Sequence, residues 1–165
     1  MGHPDKLCDL IADHILDACL EKDMASRVAC EVMATKGKII VAGEITCSGK
    51  IDVPKIVRRV LRKVGYDPRS YKVAVFVQKQ SPDIAAGVGR SLEARDGQMD
   101  PYSYLGAGDQ GTVYGYATNE TKEKLPLPLV LAHRIVQRLD ECRKGKLIKG
   151  ILPDGKAQVT MAYED

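Results

Sequence analysis

The chain has 165 residues, 44% of them apolar and 28% charged, and its 25 basic and 22 acidic side chains leave a net charge of +3. That size and balance fit one ordinary domain or two small ones with a buried core, and the scattered, nearly cancelling charge argues against a nucleic-acid binder. No apolar run is long enough to span a bilayer and the N-terminus lacks a basic-then-apolar signal pattern, so a soluble, cytoplasmic protein is expected.

From Pro4 to about Lys22, the apolar residues Leu7, Leu10, Ile11, Ile15, Ala18 and Cys19 recur at spacings of three and four, which predicts a helix with Pro4 and Asp5 in its first turn. Val28, Cys30 and Val32 then alternate with polar or small residues. Lys36-Gly37 interrupts, and a second strand pattern runs from Ile39 to Thr46, which together predict a hairpin. A two-residue turn would set Glu31 opposite Ala42 and Ala29 opposite Glu44, so both carboxylates would share one face among alanines. An odd-length turn would separate them, and two merely solvated glutamates would also satisfy the pattern.

Asp52 is placed to cap a second helix starting near Pro54, with Ile56, Val57, Val60, Leu61 and Val64 as its stripe and Gly65 as its stop. A strand from Tyr71 to about Gln80 follows, with Val73, Val75 and Val77 on one side and Ala74, Phe76, Gln78 and Gln80 on the other. Residues 81–111 are rich in glycine and show no sustained period, as in a long mobile loop between two units. Beyond them the pattern predicts a short strand near Thr112–Thr118, a helix near Leu127–Lys144 and a strand over Ala157–Tyr163.

Five cysteines, at 8, 19, 30, 47 and 142, show no C-x-x-C or Cys/His spacing, so they are read as reduced, mostly buried small apolar residues. His14 and His133 lie near helical apolar stripes without metal-spaced partners, and structural roles are expected for both. The run Gly106-Ala107-Gly108-Asp109-Gln110-Gly111 has the letters of a dinucleotide fingerprint, but no apolar strand precedes it and strand formers follow it, so that reading fails on context. Gly2-His3-Pro4-Asp5-Lys6 sets a histidine, a carboxylate and an ammonium at a helix N-terminus, where free N–H groups favour phosphate. The plainer alternative is helix capping by Asp5 with His3 and Lys6 exposed.

Taken in order, GHPDK at the front, VACE at 28–31, GEIT at 43–46, KQSPDI at 79–84, GAGDQG at 106–111, GYATNET at 115–121, AHR at 132–134 and DGKAQVT at 154–160 resemble the S-adenosylmethionine synthetase family from end to end. The resemblance implies an α+β fold of mixed, largely antiparallel sheets packed against helices. It implies an N-terminal domain over residues 1–100 that includes an active-site loop, the first part of a central domain over 101–165, and no C-terminal domain.

The implied reaction joins methionine to ATP, displacing triphosphate that is then split to pyrophosphate and phosphate, with Mg²⁺ and K⁺ as cofactors. Position within the matching motifs implies roles for individual residues. His3, Lys6 and Asp109 would be catalytic; His3, Asp154, Gly155 and Lys156 would contact ATP; Glu44 and Gln80 would hold methionine. Asp5 would bind Mg²⁺ and Glu31 K⁺, while Gln80, Ser81, Pro82, Asp83, Ile84 and Arg90 would belong to the active-site loop. Active sites would form between subunits of a homo-oligomer, with ATP and L-methionine as substrates and neither nucleic acid nor membrane as partner. Weak or absent catalysis by this chain alone is expected, because the implied arginine and lysine contacts to triphosphate from further domains are missing. The alternative is a non-catalytic truncated paralogue that binds and regulates a full-length synthetase subunit.

Overall fold

The computed structural model describes residues 1–81, 83, 91, 94, 96–97 and 111–164. Helix α1 (Pro4–Leu20) leads into strands β1 (Arg27–Thr35) and β2 (Lys38–Thr46). Helix α2 (Val53–Val64), a 3₁₀ turn (Pro68–Ser70) and strand β3 (Lys72–Gln78) follow, and helix α3 (Leu127–Lys144) lies in the C-terminal part. The sheet has the order β1-β2-β3, with β1 antiparallel and β3 parallel to β2. This is a mixed sheet with helices on one side, the expected α+β class.

Local chemistry accounts for each element. In α1 the stripe Leu7, Ile11, Ile15 and Cys19 repeats every four residues and is buried. Asp52 caps α2 as expected, its carboxylate accepting from Lys55 N–H at 3.0 Å, and Pro54 sits in the first turn, where a missing donor costs nothing. Gly65 ends α2 in the left-handed region at φ 108°. Thr35 pairs with Lys38, so the hairpin turn is the two residues Lys36-Gly37, with Gly37 at φ 71°. Connecting β2 to β3 through α2 returns the chain in the same direction, which is why that pair is parallel.

Helices α1 and α2 cover one face of the sheet. Ile11, Ile15, Ile39, Val41, Val57, Val60 and Leu61 are wholly buried between them, each stabilising the fold by roughly 1.5–3 kcal/mol relative to exposure. The other face is open and carries Glu31, Met33, Ala42, Glu44, Phe76 and Gln78, with Phe76 67% exposed. Gly43, on β2 just before Glu44, adopts φ 135°, and a Cβ there would collide with the Ala29 carbonyl oxygen. The strands pass too closely at this point for any side chain.

Two sequence expectations are corrected. Residues 112–118 and 157–163 form no strand: a ladder needs a partner, and among the described residues neither segment is paired with another. They are tied instead by single bonds, Thr118 N–H to Lys124 O at 3.0 Å and Tyr163 O–H to Glu120 Oε2 at 2.7 Å. The second correction concerns the front of α1. Its cap is His3, whose Nδ1 accepts from Asp5 N–H at 3.3 Å, rather than Asp5.

The C-terminal part meets the first 66 residues along a narrow seam at the ends of α1 and α2. Gly2 N–H donates to the Pro153 carbonyl at 2.9 Å, and Tyr66 O–H donates to the Gly2 carbonyl at 2.7 Å. Arg143, held by Asp140 at 2.8 Å, lies over the Gly65 cap, so close that a Cβ there would collide with its guanidinium. Burial pushes the Tyr66 phenol upward, and neighbouring Tyr71 and Asp154 add to this while Arg143 opposes it.

Candidate active site

The residues expected to act fall into two groups. The first is built on the N-terminus of α1. Because His3 Nδ1 accepts a backbone N–H, neutral His3 carries its proton on Nε2, leaving that N–H free to donate to an anion. The Asp5 carboxylate lies 3.8 Å from His3 Nδ1 and is 90% exposed; Lys6 is exposed beside it in sequence. The bond from Gly2 to Pro153 brings the opposite end of the chain here, so His3 and Asp154 each follow a residue of that bonded pair. Asp154, Gly155 and Lys156 are all exposed, presenting a carboxylate, a bare backbone position and an ammonium next to the helix end.

The second group stands on the open sheet face. The register sets Glu31 opposite Ala42 and Glu44 opposite Ala29, as the two-residue turn requires, so both glutamates share that face. Glu31 is exposed and Glu44 half-buried. β3 adds Gln78 opposite Glu44, with its amide 3.5 Å from Glu44 Oε1. Two residues further, Gln80 N–H donates to Thr46 Oγ1 at 3.4 Å, which keeps the chain alongside β2 past the end of β3.

The structure does not bring these groups together within one chain. Gly2, Pro4 and Leu7 line a cavity of about 320 Å³ with Ala34, Thr35 and Lys36, so the His3 end of α1 sits over the hairpin turn. Glu44 lies opposite Ala29, six residues back along β1, or roughly 20 Å at strand rise, and on the face away from the helices. Of the remaining expected positions, Ser81 is half-buried and Asp83 exposed. Asp109, Pro82, Ile84 and Arg90 lie outside the described residues, as does GAGDQG except for Gly111.

Sequence reasoning missed Tyr66, Pro153 and Arg143, which join the two ends of the chain, and the contact of Gln78 with Glu44. The signals were faint: an aromatic residue after the Gly65 stop, a proline before DGK, and a second glutamine two residues before Gln80. Among the described residues no three His, Cys, Asp or Glu side chains gather as a metal site. His14, expected to be structural, bonds the Leu10 carbonyl through Nδ1 at 2.9 Å and meets Lys63 Nζ through Nε2 at 3.4 Å. No helix among the described residues is long and apolar enough to cross a membrane.

Comparison with known proteins decides the ancestry. Residues 1–82 match the family described as S-adenosylmethionine synthetase, N-terminal domain, and residues 104–165 match S-adenosylmethionine synthetase, central domain. The chain belongs to the S-adenosylmethionine synthetase family. It is 48% identical over 171 aligned residues to an S-adenosylmethionine synthase of Clostridium tetani (strain Massachusetts / E88). That alignment takes in 99% of this chain and 44% of the relative, so the chain spans less than half the length of the curated protein it matches.

Proposed function

We propose that the chain supplies two half-sites of a methionine adenosyltransferase, which forms S-adenosylmethionine from ATP and methionine with release of phosphate and pyrophosphate. The observation that carries this is the bond between Gly2 N–H and the Pro153 carbonyl, which assembles one anion-binding end from the first and last family motifs of the chain. There the Lys6 N–H in the first turn of α1, the His3 Nε2–H and the Lys6 and Lys156 ammonium groups face the triphosphate, the Asp5 and Leu7 N–H groups being held by His3. His3 donates to the oxygen that leaves C5′, where negative charge grows in the transition state. On the sheet face, the Glu44 carboxylate pairs with the methionine ammonium group, while Gln80 supports the substrate beside it.

Because the two half-sites lie apart in one chain, a second copy or a longer synthetase subunit completes each active site, so the protein works as an oligomer. We place the domain boundary in the glycine-rich segment, between an N-terminal domain over 1–100 and the start of a central domain from 101, with a cytoplasmic location. Asp109 and the loop residues Ser81, Pro82, Asp83, Ile84 and Arg90 complete the site around the substrates.

Mg²⁺ fits the chemistry at Asp5, since this ion is commonly held by one or two carboxylates together with substrate phosphates, and Asp5 is an exposed carboxylate beside the phosphate end. When bound it neutralises charge on the triphosphate. K⁺ would lie at Glu31, the carboxylate between the alanines of the open face. Glu31 alone provides too few oxygens, and the remainder would come from outside the described residues or from a second copy.

Titration of the purified chain with a non-hydrolysable ATP analogue, with and without Mg²⁺ and methionine, tests this by calorimetry and light scattering. Metal-dependent binding that methionine strengthens, accompanied by association, is expected. A folded chain that binds neither ligand overturns the proposal and leaves family membership as ancestry.

A further inference from the structure

The helix layer carries a second cationic feature that the proposed reaction does not use. A groove of about 670 Å³ runs between the C-terminal turn of α1, the segment at Lys50–Asp52 and the outer side of α2. Lys22, Lys50, Lys55, Arg58, Arg59 and Arg62 line it, against the two carboxylates Glu21 and Asp52. None of the six cations forms an ion pair with another described residue. Ala18, Ile51 and Ile56 also line the groove and give it apolar surface.

The placement of these charges is ordered. Lys55, Arg58, Arg59 and Arg62 follow the i, i+3, i+4, i+7 pattern, so they form one stripe about 10 Å long on the side of α2 away from the core. Lys22, in the turn after α1, lays its stem across Gly49, where any Cβ would collide with it. Asp52 is already engaged as the α2 cap, so its carboxylate is partly satisfied, and with Glu21 it makes two carboxylates against six cations. Guanidinium groups pair with phosphate oxygens through two parallel N–H donors, and three arginines on one stripe suit several linked phosphates.

We infer that this groove binds a small polyphosphate ligand, such as the phosphate chain of a nucleotide, at a site separate from the catalytic half-sites. The separation follows from α1: its 17 residues put His3 about 25 Å from the groove end of the helix. The size of the groove favours a small ligand over a duplex, because specific nucleic-acid interfaces cover roughly 1,000 Å² or more and this stripe is short and flanked by carboxylates.

Inorganic tripolyphosphate is the probe, followed on the full ¹⁵N-labelled chain by amide shift mapping at low salt and at high salt. Expected are shifts over residues 50–62 that fade with salt, weaken at least about tenfold in the Arg59→Gln/Arg62→Gln and Arg59→Glu/Arg62→Glu chains, and survive in Lys156→Ala. The proposal is overturned by shifts confined to residues 2–6 and 153–156. It is equally overturned by groove shifts that are indifferent to both double variants, or by a single-stranded oligonucleotide binding the groove more tightly than tripolyphosphate. Both double variants alter exposed side chains, so an unchanged far-UV spectrum is the control for folding.

Discussion

Replacing Gly2 with alanine should undo the seam that joins the two ends of the chain. A Cβ at this position would lie 2.5 Å from Pro153 Cβ, 2.7 Å from the Pro153 carbonyl carbon and 2.8 Å from Tyr66 Oη, where ordinary contacts need about 3.5–4 Å. No single flexible side chain can yield to relieve all three, so the chain ends must move apart by roughly 1 Å. Two hydrogen bonds, Gly2 N–H to Pro153 and Tyr66 O–H to Gly2, are then lost at about 1 kcal/mol net each, and the overpacking adds about 1–3 kcal/mol. The expected destabilisation of the docked state is therefore about 3–5 kcal/mol. Tyr66→Phe, which removes one of those bonds without a clash, should cost about 1 kcal/mol. Hydrogen exchange at the Gly2 amide, alongside urea denaturation followed by far-UV circular dichroism, separates undocking from global unfolding. A Gly2→Ala chain within about 0.5 kcal/mol of the parent, or no worse than Tyr66→Phe, would refute the assembly of the His3 end by this seam.

Three further outcomes are expected. His3→Ala should lower stability by about 0.5–2 kcal/mol through loss of the α1 cap, whereas His3→Asn should restore stability without restoring ATP-analogue binding, as thermal unfolding and calorimetry together would reveal. Glu44→Gln keeps the shape beside Gln78 but removes the charge, so methionine binding should weaken roughly tenfold to a hundredfold with stability changed by less than about 0.5 kcal/mol; equal methionine affinity would contradict the assignment. The Cys19 thiol is pushed up to about 11 by burial, reinforced by Cys47. With the unfolded thiol near 9, the folded chain holds more protons between these values, so stability present below about pH 9 should fall as pH rises toward 11. Urea midpoints across that window should show a shallower decline in Cys19→Ala than in the parent.

Both helices of the first half were readable because each combines a repeating apolar stripe with local punctuation: Pro4 at the start of α1, and Asp52 and Gly65 around α2. α3 was equally plain and occupies the expected bounds. The hairpin register was also accessible, since a two-residue turn at Lys36-Gly37 fixes every pair and hence the shared face of Glu31 and Glu44. Pairing between distant segments was less accessible. Nothing local in 112–118 or 157–163 distinguishes a strand from an extended segment that lacks a neighbour. The meeting of Gly2 with Pro153 also depends on where two helices end in space, not on any pattern near either residue. For the same reason the motifs pointed to candidate site residues without revealing that they occupy two separated places.

The three-stranded sheet has a practical consequence for anyone handling this polypeptide. Only β2 has a strand on both sides; β1 and β3 form the rims of the sheet, with no further strand beside them among the described residues. Such rims invite another strand to add on, and the exposed Met33 and Phe76 next to them would reward it. Concentrated or gently heated samples should accumulate β-rich aggregates by rim-to-rim growth, and charged substitutions on β1 at Ala29 and on β3 at Phe76 are the rational means of keeping it dispersed.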